Sequence, residues 1–255
     1  MRIEFFSHRL LSPSALRRGV CLLAATAAGS VLAMPLSSPH DARNEALAYY
    51  NAGAYPDALR EFAVAARQGD RLSEFDYAMM LLGGEGAPAD VPGALHWLER
   101  VARAGMTQAQ YVLGTMYDDG SYVELDPRRA HRWLLAAARQ GHVQAELALA
   151  NQFLDGRGTP RDNHAAFLWY RRAADRGDAV GQYVTASFYE RGGDGVMPDL
   201  NLARVYYAAA AAQGDMAAGY KYQEVSAALR AQVSASKPGV ASSPDAASAA
   251  DAAPR

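Results

Sequence analysis

The stretch FLDGRGTPRDN, residues 153–163, holds two glycines two apart, an arginine between them and an aspartate four residues after the second glycine. Three readings fit such a loop: a phosphate cradle, a metal loop, or a bend between helices. A glycine-rich phosphate loop is a single event that opens one helix after a strand, whereas a bend can recur. This one recurs. A glycine column reads Gly84, Gly120, Gly156, Gly192 at steps of 36, 36 and 36, and an aspartate column reads Asp90, Asp126, Asp162, Asp199 at steps of 36, 36 and 37. A further column runs Gly69, Gly105, Gly141, Gly177, Gly214. The one extra residue lies in RGGDGVMPD, 191–199. A repeating element argues for architecture before chemistry.

Between these marks the pattern is helical. ALHWLERVARAG (94–105), AHRWLLAAARQG (130–141), AFLWYRRAADRG (166–177) and ARVYYAAAAAQG (203–214) place apolar residues at i, i+3, i+4, i+7 and i+8, one face of a 3.6-residue helix. The small column Ala94/Ala130/Ala166/Ala203 lets a neighbouring helix approach, and the aromatic column Trp97/Trp133/Trp169/Tyr206 is expected to fill the space beside it as core. The other segment of each unit reads SEFDYAMMLLGG (73–84), AQYVLGTMYDDG (109–120), AELALANQFLDG (145–156) and GQYVTASFYERG (181–192). Its columns are Phe75/Tyr111/Leu147/Tyr183, Ala78/Gly114/Ala150/Ala186 and Leu81/Tyr117/Phe153/Tyr189. A glycine inside a helix costs about 1 kcal/mol against alanine, so Gly114 reads as a helix-crossing point.

The loop glycines therefore sit where a helix stops, in the left-handed conformation that glycine adopts without a Cβ penalty. The aspartates sit where the next helix starts, with an oxygen for the free amide hydrogens, and Pro127 after Asp126 suits the first helical position. A phosphate site would need a cation in every copy. The loops offer GEGAPAD, GSYVELD and GRGTPRD, and only the last is basic. The stretch is a bend.

These columns resemble the Sel-one-like repeat (SLR) family, relatives of the tetratricopeptide repeats, with the pattern A-x-Y-x-L-G-x-x-Y-x-x-G-x-G-V-x-x-D followed by A-x-x-W-Y-x-x-A-A-x-x-G. The resemblance covers about residues 73–220. Tyr122 stands where the second loop glycine would be, and Leu98 and Leu134 replace the tyrosine after tryptophan. What the resemblance implies is an all-α, right-handed α-solenoid of antiparallel helix pairs whose first helices line a concave, partner-binding face. The expected organisation is a signal peptide at 1–33, a linker at 34–41, a tetratricopeptide-like first unit at 42–70, four SLR units at 71–216, a capping helix at 217–232 and a disordered Ala/Ser/Pro tail at 233–255.

The ends differ in composition from the repeats. Arg2, Arg9, Arg17 and Arg18 precede an apolar stretch from Gly19 to Ala33 that closes on Val31-Leu-Ala33, the order of a Sec-type signal peptide cleaved after Ala33. That reading places the chain in the periplasm or outside the cell, with no membrane insertion once the signal is removed. The sole cysteine, Cys21, would leave with the signal, and the remaining 21 basic and 26 acidic residues give a net charge of −5. No basic stripe for nucleic acid or membrane phosphates is expected.

Chemistry is sparse. His40, His96, His131, His142 and His164 fall at different repeat phases with no metal-pair spacing, and no cofactor or metal is expected. Ser234-x-x-Lys237 matches a serine β-lactamase start motif without its partner motifs, so a penicillin-binding or β-lactamase enzyme is kept only as an alternative to a non-enzymatic, monomeric scaffold for a protein or peptide. By the resemblance, the outward positions of the first helices, Met79, Thr115, Asn151 and Ser187, carry the partner; Asp118, Asp119, Asp155 and Glu190 align as an acidic rim that is either a dock for a basic segment or a solvated face.

Overall fold

The structure, a computed structural model, describes residues 38–236. The signal-peptide reading of 1–33 and most of the expected tail lie outside the described residues. The described chain is all helix: α1 (Pro39–Asn51), α2 (Tyr55–Arg67), α3 (Arg71–Gly83), α4 (Val91–Arg103), α5 (Thr107–Asp119), α6 (Pro127–Arg139), α7 (Val143–Asp155), α8 (Asn163–Asp175), α9 (Ala179–Arg191), α10 (Leu200–Ala212) and α11 (Met216–Ser236). The last helix includes Ser234, whose Oγ donates to the Ala231 carbonyl at 2.9 Å. The helices divide into two compact units, one of residues up to 152 with 156–160, the other of 153–155 with 161 onward. In the first unit α1 through α6 pack in chain order, each on its successor; in the second α8, α9, α10 and α11 do the same.

The caps follow the repeat. Gly84, Gly120 and Gly156 close α3, α5 and α7 in the left-handed conformation. Asp90, Asp126, Asp162 and Asp199 each accept backbone N–H bonds from the first turn of the following helix. Gly192 departs from its column: its φ of 68° is paired with a ψ of −168°, a region open to glycine alone. The extra residue of the fourth loop follows it.

The second glycine of the opening stretch has a separate task. A Cβ on Gly158 would lie 2.0 Å from the Pro127 carbonyl oxygen, so the loop lies backbone against backbone on the start of α6. Gly86 lies on the Tyr55 carbonyl in the same way, at 2.4 Å. The intervening loop has Tyr122 instead, which packs with Val123 on the hydrophobic cluster.

Burial corrects one expectation. Trp97, Trp133 and Trp169 are only half-buried, and the residues that follow the aromatic column — Leu98, Leu134, Tyr170 and Tyr207 — are the ones that lose all or nearly all contact with water. The indoles work at the edge of the core, where Arg100 lies 5.1 Å over the Trp97 ring and Arg172 lies 4.7 Å over Trp169. The small columns behave as read: Ala94, Ala130, Ala166, Ala203, Ala78, Ala150 and Ala186 are fully buried. A Cβ on Gly114 would meet the Leu134 side chain at 2.7 Å, so α5 and α6 touch there at a spacing only glycine permits.

A buried polar column was not anticipated. Glu74, Gln110, Glu146 and Gln182 share one register in the first turn of α3, α5, α7 and α9 and are nearly inaccessible. Buried polar groups cost several kcal/mol unless paired, and Glu74, Gln110 and Gln182 each have a partner. Glu74 meets Arg100 at 3.0 Å, Gln110 donates to the Ala102 carbonyl at 2.9 Å and accepts from Gln140 at 2.7 Å, and Gln182 accepts from Gln213 at 2.8 Å. Burial raises the Glu74 carboxyl above its ordinary range and Arg100 opposes that shift.

One cap carries a pH dependence. His142 starts α7 where Asp70, Asp178 and Asp215 start α3, α9 and α11, and its Nδ1 accepts the Ala145 N–H at 3.3 Å. Nε2–H then donates to Gln108 Oε1 at 3.1 Å, and the ring stacks on Tyr111 at 4.4 Å. The bond accepted by Nδ1 requires the neutral ring, and burial lowers its pKa below the ordinary 6.5. The capping contribution, about 1 kcal/mol, is therefore complete above the unfolded value and is lost as pH falls through the folded one. His142→Asp should lose less urea resistance than the wild type when pH is taken from neutral to below the histidine range. Parallel losses in the two proteins would remove His142 as the cause.

Candidate partner-binding face

The first helices of the repeats, α3, α5, α7 and α9, carry the same four outward rows. The rows are Leu72/Gln108/Gln144/Val180, Phe75/Tyr111/Leu147/Tyr183, Met79/Thr115/Asn151/Ser187 and Gly83/Asp119/Asp155/Arg191; the outer two are exposed and the inner two half-buried in every copy. Spacings of three and four place each set on one helix face. The sequence-assigned Met79, Thr115, Asn151 and Ser187 form one inner row. The other inner row, largely aromatic, was read as packing alone. Its signal was its spacing of four from the assigned row.

Local bonds set the orientation of these side chains. Thr115 Oγ1 donates to the Val112 carbonyl at 2.9 Å, and Ser187 Oγ accepts from Arg191 at 2.8 Å. Asp119 is exposed, and its Oδ1 accepts the Ser121 N–H at 2.8 Å, which ties down the start of the loop. Burial, with Asp119 adding to it, raises the Tyr111 hydroxyl pKa. Asp76 lies three residues from Met79 in a row otherwise filled by Val112, Ala148 and Val184. Burial pushes its carboxyl up to about 6 against the opposing charge of Arg43.

The acidic rim separates into two kinds of residue. Asp118 is 16% exposed, accepts from Gln152 Nε2 at 2.7 Å and pairs with Arg157 at 3.3 Å. Gln152 is fully buried and its Oε1 is 3.1 Å from His131 Nδ1. Glu190 accepts from the Tyr207 hydroxyl at 2.7 Å and from Lys221 at 3.1 Å, and both partners lie in the second unit with it. A sequence reading finds no local stabilisation in carboxylates at these helix ends. The structure supplies one, because Asp118 and Glu190 are neutralised by residues from later in the chain. Asp119 and Asp155 remain exposed.

Among the described residues no group of three or more His, Cys, Asp or Glu is placed to hold a metal ion, and no helix is long and apolar enough to cross a membrane.

Comparison with known proteins accounts for this arrangement. The Sel1 repeat family matches residues 72–106, 107–142, 143–178 and 179–215. Among solved structures, a protective antigen of uropathogenic Escherichia coli strains with an SLR fold superposes with a TM-score of 0.69 at 27% identity, covering 73% of this chain and 41% of that one. A Sel1 repeat protein from Oxalobacter formigenes superposes with a TM-score of 0.64 at 28% identity, covering 73% and 55%. The chain thus spans about half or less of the length of these relatives. Among curated proteins, none matches it. Four consecutive family matches, and helix pairs that pack as in Sel1 repeat solenoids, identify the chain as a member of the Sel1 repeat family.

Proposed function

We propose that this protein is an exported, non-enzymatic Sel1 repeat scaffold that holds a protein or peptide partner along the concave side formed by its first helices. The processes such a scaffold would serve are envelope assembly, secretion, regulation or host contact. The observation that carries the reading is the constancy of the four outward rows. In α3, α5, α7 and α9 the same positions stay exposed or half-buried while their residue types vary. A solenoid that spends its conserved-spacing positions on packing and leaves a regular variable face is built for recognition. The enzyme alternative draws no support, since Ser234 sits on α11 with its Oγ bonded to a backbone carbonyl.

The test is affinity capture from envelope extract with the mature protein and a Thr115→Arg/Asn151→Arg variant, both sites on the outward face of the first unit. The variant should lose at least about tenfold of the captured partner while its melting temperature is retained. Capture unaffected by the double change would remove this face from the interaction. An Asp119→Asn/Asp155→Asn variant separates the acidic contribution, since its capture should depend less on salt if the partner is basic.

A further inference from the structure

The fourth repeat breaks the period, and the consequence is local. The loop after α9 turns back on itself through a Gly193–Val196 bridge. It is clamped to the start of α8: Asn163 Nδ2 donates to Asp194 Oδ2 at 2.9 Å, and His164 Nδ1 lies 3.1 Å from the Asp194 carbonyl. Asp194 takes a positive φ of 53° to allow this. Val196 is buried and anchors the loop, while Met197, next to it, is 83% exposed. A methionine between a buried anchor and a proline in a clamped loop is held outward.

Beneath Met197 lies a cleft of about 480 Å³, lined by Phe167, Leu168 and Arg171 of α8, Leu202 of α10 and the loop itself. That volume is in the range of small-ligand and side-chain pockets. Its apolar rim is not demanded by the repeat. Leu168 occupies the register of His96 and Arg132, and Leu202 that of Gly93, Arg129 and Ala165, yet both leucines are well exposed. Val205, three residues after Leu202 on α10, is 58% exposed. A concentration of exposed apolar residues on one small surface marks a contact site.

Charge selects the occupant. Asp199 at the cleft spends Oδ1 on the N–H groups of Asn201 and Leu202. Arg171 pairs with Asp175 Oδ2 through Nε alone, at 3.9 Å, while Asp175 Oδ1 accepts from the Tyr206 hydroxyl at 2.9 Å. The guanidinium fork beside the cleft is thus available to a carboxylate, which it can bind with two parallel bonds. We propose that the cleft between the 192–199 loop, α8 and α10 is a second docking site, for a peptide segment of a partner protein that inserts an apolar side chain beside Met197 and sets an adjacent carboxylate on Arg171. It is separate from the first-helix face, so either assignment can fail alone.

Methyl NMR of the full chain with labelled methionines tests this, with the Met197 signal assigned by Met197→Leu. The probe is a capped Gly-Ser-Leu-Asp-Gly peptide at millimolar concentration. It should shift the Met197 methyl saturably, and peptides with Leu replaced by Ser or Asp by Lys should bind on the order of tenfold more weakly. Arg171→Ala, a change at an exposed side chain, should erase the preference for Asp over Lys. A Met197 methyl unmoved by the Leu-Asp peptide, or Arg171→Ala binding both peptides as the wild type does, would overturn the proposal. So would a Met197 shift that appears with protein concentration alone, which would assign the cleft to a second copy of the chain.

Discussion

Gly158→Ala is expected to cost roughly 3 kcal/mol or more, among the larger single-residue effects, while Gly177→Ala costs about 1–2 kcal/mol. Both glycines have positive φ, 70° and 89°. They differ in what surrounds them: nothing lies within 4 Å of a Cβ on Gly177, whereas at Gly158 the new atom would sit 2.0 Å from the Pro127 oxygen and 2.5 Å from its carbon. Backbone facing backbone has no rotamer to change, so the loop must lift from the start of α6. Lifting it also draws Arg157 away from Asp118. Urea denaturation of the two variants side by side measures the difference. Equal losses would mean that Gly158 serves the backbone conformation and that loop docking contributes nothing.

Leu134→Ala is expected to lose about 2–5 kcal/mol, the range for a buried leucine whose cavity cannot collapse. Leu134 is fully buried and lies against Gly114, where a Cβ would be 2.7 Å from its Cγ and Cδ2. Trp133→Ala, one residue away, should cost less although the side chain is larger. Its indole is half-buried, and Ala136 stands where Arg100 and Arg172 cover the other tryptophans. The two variants are compared by the same denaturation, followed by helix content. A greater loss for Trp133→Ala would place the core on the wrong side of α6.

The period, the all-helical class, the capping aspartates and the buried small columns can all be read from the residues alone, because each depends on local rules. A helix needs an acceptor at its start and a residue free of Cβ strain at its end, and both can be read off a column at a spacing of 36. The Met79/Thr115/Asn151/Ser187 row was legible for the same reason, since a stripe follows from the helical angle, whereas the Phe75/Tyr111/Leu147/Tyr183 row was read as packing. Adjacent positions within the apolar face were not. Trp133 and Leu134 lie about 100° apart on one helix, and the stacking of α6 on α5, with Gly114 at the contact, decides which of them is enclosed. The buried Glu74/Gln110/Glu146/Gln182 column carries no sequence signal because its partners, such as Arg100 for Glu74 and Gln140 for Gln110, come from or just after the next helix. The rim carboxylates divide on the same ground. Asp118 pairs with Arg157 and accepts from Gln152, and Glu190 pairs with Lys221 and accepts from Tyr207, all from helices or loops further along the chain. Local propensity and period act within one helix, but a charge or a side chain becomes buried only when a neighbouring element covers it, and that pairing is tertiary.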